Sequence, residues 1–159
     1  MRNIFKLIVL IASCYVVGWV GSAFTLPAIP EWYMNLRKPF FNPPDWIFAP
    51  VWISLYTLMG MAAYFVLTSG APFLQIRNSV ILFYFQLLLN GFWSILFFGL
   101  RSPFFALLEI LVLWLVIFLT LRNFFSISKA AGWLFVPYLV WVGFAVVLNL
   151  AIVFLNPST

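Results

Sequence analysis

The chain has 159 residues, 66% of them hydrophobic and only 7% charged, which is too little polar surface to coat a water-soluble globule. Its net charge of +5 comes from basic residues scattered singly among connectors, so it reports orientation in a membrane and no nucleic-acid partner is expected. The single cysteine, Cys14, and the absence of histidine exclude an intrachain disulfide, histidine acid–base chemistry and a histidine ligand to haem iron, and neither a metal site nor a required cofactor is expected.

A spanning helix needs about 20 apolar residues. The first apolar run goes from Ile4 to Leu26 and is expected to stop ahead of Pro27. Its basic start and Ile11-Ala12-Ser13-Cys14 imitate a signal peptide with a lipoprotein box, but the run continues to Phe24, which is the length of a span. Cys14, Gly18 and Ser22 recur every four residues and mark one face for close packing. Then comes Trp32 to Trp52, where three tryptophans and prolines 39, 43, 44 and 50 stand beside Arg37, Lys38 and Asp45. So many prolines forbid one continuous helix. The aromatics suit a membrane surface, as an interfacial connector or as a lid over a pocket.

The second span is predicted from Asp45 or Trp46 to Thr68, with Trp52, Tyr56 and Gly60 on one face, and Ser69 to Pro72 breaks it. The third, Ile76 to Leu100, carries Gln86, Asn90 and Trp93 at i, i+4 and i+7. Unpaired amides are unfavourable in hydrocarbon, so this stripe is expected to face the bundle interior. Arg101-Ser102-Pro103 turns into the fourth span, Phe104 to Asn123. Within it Glu109 is expected to pair with Arg101 or to accept hydrogen bonds from a neighbouring helix. The fifth span, Ala130 to Leu155, repeats Pro137, Trp141, Ala145 and Asn149 every four residues. The fold class is thus an all-α integral membrane protein, one domain over 1–159, with five transmembrane helices and a long structured loop between the first two. Arg2, Lys6, Arg77, Arg122 and Lys129 lie on the N-terminal side against Arg37, Lys38 and Arg101 on the other, a bias toward a cytoplasmic N-terminus.

Three stretches resemble the TspO/MBR family, which takes in the tryptophan-rich sensory proteins of bacteria and the mitochondrial translocator (peripheral-type benzodiazepine receptor) proteins. They are Trp32-Tyr33 through Lys38-Pro39, Pro43-Pro44 and Phe48-Ala-Pro50-Val-Trp52; Gln86-Leu-Leu-Leu-Asn90-Gly-Phe-Trp93-Ser94; and Pro137-Tyr138 with Trp141, Ala145 and Asn149. The resemblance implies a five-helix, usually dimeric protein of the bacterial cell membrane, with a pocket capped by the first long loop. Porphyrin, haem and isoquinoline-carboxamide or benzodiazepine compounds are the ligands it implies. It further implies that Tyr33, Trp52, Gln86, Asn90, Trp141 and Ala145, with Ala23 from the first helix, line the pocket. The cholesterol motif of animal members needs a Lys or Arg after Tyr138, and none follows, so cholesterol is not the expected ligand here.

Apart from the resemblance, three faces converge: Trp52 and Tyr56; Gln86, Asn90 and Trp93; and Trp141, Ala145 and Asn149. Together they can wall an aromatic cavity for a flat hydrophobic ligand such as a tetrapyrrole, or they can simply glue helices together. A sensor or passive translocator is expected, since no GxxxxGK[ST] loop is present to power transport. The alternatives are an enzyme of light- or oxygen-dependent porphyrin degradation, in which Trp52 and Trp141 take part, and a scaffolding membrane partner.

Overall fold

The computed structural model describes residues 2–157; Met1, Ser158 and Thr159 of the single domain read from the sequence lie outside the described residues. Five helices make up nearly all of it: α1 Arg2–Glu31, α2 Asp45–Leu67, α3 Phe73–Ser94, α4 Pro103–Ile127 and α5 Lys129–Leu155. Each is long and apolar enough to cross a bilayer, and no strand occurs among the described residues. The protein is an all-α, multi-pass integral membrane protein, as its composition demands.

The helices close into a ring. α1 packs on α2 and α3, α4 on α3 and α5, and α2 completes the circuit against α5. Small residues set the closest approach. A Cβ at Gly60 would stand 2.7 Å from the backbone Cα of Ile11, and one at Gly18 would meet the Tyr56 ring at 2.4 Å, so α1 and α2 touch almost without intervening side chains. The same seam is tied by Tyr15, whose hydroxyl lies 2.9 Å from Thr57 Oγ1.

Helix boundaries depart from the sequence expectation in several places: α3 begins at Phe73, ahead of Ile76, α4 runs past Asn123 to Ile127, and the ends of α1 and α3 differ more. α1 does not stop at Leu26 but runs through Pro27 and Pro30 to Glu31. Both prolines are exposed on the outer face of the helix, where the ring displaces no neighbour. α3 ends at Ser94, before the expected Leu100, and passes into a wider π turn, Ile95–Gly99, in which Leu100 N donates to Ile95 O at 2.8 Å. Arg101 follows in a left-handed conformation, φ 52°, and Pro103 opens α4 at a position where no amide donor is needed.

Trp32 to Trp52 is indeed not one helix. A short 3₁₀ turn, Tyr33–Asn35, is followed by an irregular segment and then by α2. Leu36 is buried with Tyr33, Phe97, Leu148 and Ile152 in a small apolar cluster that seals this end of the bundle.

Candidate ligand cavity

Inside the ring, at the end that carries the loop, lies a cavity of about 500 Å³. Helix periodicity explains its walls. α2 presents Phe48, Trp52 and Tyr56 at one-turn intervals, α3 presents Asn90 and Trp93, and α5 presents Trp141, Ala145, Leu148 and Asn149. α1 contributes its small stripe, Gly18, Gly21, Ser22 and Thr25, and Ile110 and Leu113 of α4 form the back. Tyr33 and Asp45, at the two ends of the loop, line the cavity at its loop end.

The rings lock one another. Trp52 stacks on Tyr56 with centroids 5.3 Å apart, Trp93 stacks on Phe97 at 5.0 Å, and Phe48 meets Trp141 edge-on at 6.0 Å. Two asparagines tie the walls together. Asn90 Oδ1 accepts from the Tyr56 hydroxyl at 2.9 Å and Asn90 Nδ2 donates to the Tyr138 oxygen at 3.2 Å, so one amide joins α2, α3 and α5. Asn149 Oδ1 accepts from Trp93 Nε1 at 3.2 Å and its Nδ2 donates to the Pro103 carbonyl at 2.9 Å, joining α3, α4 and α5. Both amides thus satisfy neighbouring helices, and the surface left to a guest is mainly aromatic and aliphatic, with Ser22, Thr25, Ser94 and Asp45 as its other polar members.

On one side the wall is incomplete. Trp19 of α1 and Ile53 of α2 both line the cavity, yet 74% and 55% of their surfaces are exposed, so between these helices the cavity reaches the lipid-facing surface. At the loop end, the Tyr33 hydroxyl donates to Asn42 Oδ1 at 3.2 Å and Lys38 Nζ sits 4.1 Å from the centre of the Tyr33 ring. Burial pushes the Tyr33 phenol above its ordinary value, and the Asp45 carboxylate adds to that push.

Of the residues singled out from the sequence, Tyr33, Trp52, Asn90, Trp93, Trp141, Ala145 and Asn149 come together on this one cavity. Gln86 and Ala23 do not. Gln86 is fully buried, but it lies outside the lining and donates to Phe83 O at 2.8 Å. Ala23 is exposed and falls off the α1 stripe of residues 18, 21, 22 and 25. The expectation for Glu109 also fails. Arg101 pairs with Glu31 at 2.7 Å, whereas both oxygens of buried Glu109 accept no hydrogen bond among the described residues. Arg101 precedes α4 and Glu109 lies about 9 Å along that helix from its start, so the arginine turns outward to an exposed partner instead. Phe48, Phe97 and Leu148 were not anticipated as wall residues, although Phe48 stands one helical turn before Trp52, which is a legible signal.

The model of the TspO/MBR family matches residues 10–155. This chain belongs to the TspO/MBR family. Among its relatives, the "Tryptophan-rich protein TspO" of Chlorobaculum tepidum is 45% identical over 98% of this chain and 99% of that protein. A protein of the same name from Archaeoglobus fulgidus is 42% identical over 97% and 99%. The "Translocator protein" of Bos taurus is 36% identical over 83% of this chain and 79% of its own length. As a TspO/MBR protein the chain therefore has relatives in bacteria, archaea and animals, and the likeness extends along its whole helical body.

Proposed function

We propose that this protein binds flat hydrophobic molecules, tetrapyrroles foremost and isoquinoline-carboxamide compounds as surrogates, in the intramembrane cavity, and acts as a sensor, regulator or passive translocator. One observation carries the reading: Trp52, Trp93, Trp141, Phe48 and Phe97 wall a single hollow whose amides are already occupied by neighbouring helices. Such a surface favours a planar guest held by ring stacking, and its volume lies in the ordinary range for small-molecule sites, about 300–1,000 Å³. With no histidine in the chain, iron contributes little to binding, so iron-free protoporphyrin binds about as well as haem. Lys38, over the Tyr33 ring, and the neighbouring Arg37 are the cations that the loop offers to propionates. We place the protein in a bacterial cell membrane as a homodimer with its N-terminus in the cytoplasm, in keeping with the bias of basic residues.

The test is quenching of tryptophan fluorescence by protoporphyrin IX in lipid nanodiscs, with Ala145→Phe as the decisive variant. The added ring projects into the cavity from α5 and displaces the guest. Loss of affinity by about tenfold or more, with unchanged thermal stability, is expected from lost guest contacts alone. Unchanged affinity would remove the cavity as the site.

A second reading draws on the convergence of Trp52 and Trp141 on one hollow, where their rings could donate electrons to an excited porphyrin bound there. Comparing tetrapyrrole products from the protein and from a Trp52→Phe, Trp141→Phe variant, in light and in darkness, separates an enzyme from a binder.

A further inference from the structure

The segment between Leu36 and Pro44 has no regular secondary structure, yet its two ends, Tyr33 and Asp45, both help to line the cavity. Something must hold it. Asn156, just beyond the last turn of α5, does so in the manner of a paired strand. Its Oδ1 accepts from Arg37 N at 2.9 Å, and its Nδ2 donates to Arg37 O at 2.9 Å. The same Nδ2 lies 2.9 Å from Ile152 O, so the amide is braced against the helix from which it projects. Farther along the segment Phe41 meets Phe144 of α5 edge-on at 6.4 Å, a looser contact on a residue that is itself exposed. Next to the clasp, Leu36 is buried against Tyr33, Leu148 and Ile152, and the last three line the cavity.

We infer that Asn156 is a positioning residue for the ligand site: by clasping both backbone groups of Arg37 it fixes Leu36 and Tyr33 as the end wall of the cavity, and so sets how long a guest stays. The inference rests on the cavity being the ligand site. Two hydrogen bonds that each contribute modestly together hold the segment closed most of the time, and their loss lets the wall open more often. Opening removes the end wall's contacts from a bound guest and so weakens the bound state, while entry through the gap between α1 and α2 is untouched, and the effect falls on dissociation.

The test uses the full chain in nanodiscs with protoporphyrin IX as probe. In Asn156→Ala, the amide of Arg37 exchanges its hydrogen about tenfold faster, the dissociation rate rises about threefold to tenfold, and association stays within about twofold, as expected for the loss of one or two such bonds. The number of sites per chain is unchanged. Asn156→Asp keeps an acceptor for Arg37 N–H but sets a second oxygen against the Arg37 and Ile152 carbonyls in place of the donor, so exchange at Arg37 and release of the guest are about as fast as in Asn156→Ala. Fraying of the end of α5 would instead appear as faster exchange at residues 153–156, with Arg37 unchanged. Unchanged dissociation in Asn156→Ala, Asn156→Asp keeping the slow release of the unmodified protein, or faster exchange confined to residues 153–156 overturns the inference. If the unmodified protein binds no protoporphyrin, the ligand reading fails by itself, and exchange at Arg37 still decides whether Asn156 holds the segment.

Discussion

Asn90 shows what one polar side chain achieves inside a bilayer. It accepts from Tyr56 and donates to Tyr138, two phenols that are themselves buried, so removing the amide strands a donor on one helix and an acceptor on another. Asn90→Leu keeps the approximate volume and should lower stability by about 1–2 kcal/mol, less than a buried unpaired group costs in a soluble core because partners are also found in the unfolded membrane state. Because the two act as a unit, Tyr56→Phe in that background should add little further loss, measured by unfolding in mixed micelles; full additivity would show the contact to be idle. Spacing alone found Asn90 and Trp93, since i and i+3 neighbours must share a face. It could not separate them from Gln86, one turn earlier on the same stripe, because helical side chains lean toward the N-terminus of their own helix and Gln86 leans away from the hollow. Nor could it place Glu109, whose carboxyl has no hydrogen-bond partner among the described residues, or Asn156, whose contact is with a residue 119 positions away.

Among the elements, α1 and α2 approach backbone to backbone at Gly60, and the reason is the missing side chain there. Gly60→Ala puts a methyl group 2.7 Å from the Ile11 backbone, where no rotamer change can relieve it, and should destabilise the protein by about 1–3 kcal/mol as the helices are forced apart. The comparison is Gly70→Ala: nothing lies within 4 Å, so only its positive φ of 76° resists and the helix seam is untouched. Thermal unfolding followed by circular dichroism distinguishes them, and equal packing defects in the two would contradict the seam. The spans themselves were legible, because uninterrupted apolar length is a direct reading of bilayer thickness. Their ends were less so. Pro27 signalled a stop, but α1 continues through it and through Pro30, since a proline in a membrane helix costs one backbone bond without necessarily ending the helix. The π turn after Ser94 likewise has no local marker, since Ile95 to Gly99 reads as more apolar helix.

As a whole the molecule is a ring of five helices, closed at its loop end by a small apolar cluster and open on one flank between Trp19 and Ile53. Ring closure is what turns three separate stripes into a single hollow, and the order of helices around it was the part of the fold that no individual segment could announce. The flank opening changes what a binding constant means. A greasy guest meets the protein from the hydrocarbon phase, so its relevant concentration is moles per volume of lipid, and buffer volume hardly enters. At fixed protein and porphyrin, doubling the nanodisc or vesicle lipid should therefore weaken apparent occupancy about twofold for a strongly partitioning ligand below saturation, through dilution in the acyl phase. Titrations across several lipid-to-protein ratios would collapse onto one curve when plotted against mole fraction in the bilayer, and a curve that collapses only against aqueous concentration would mean that guests arrive from the water instead.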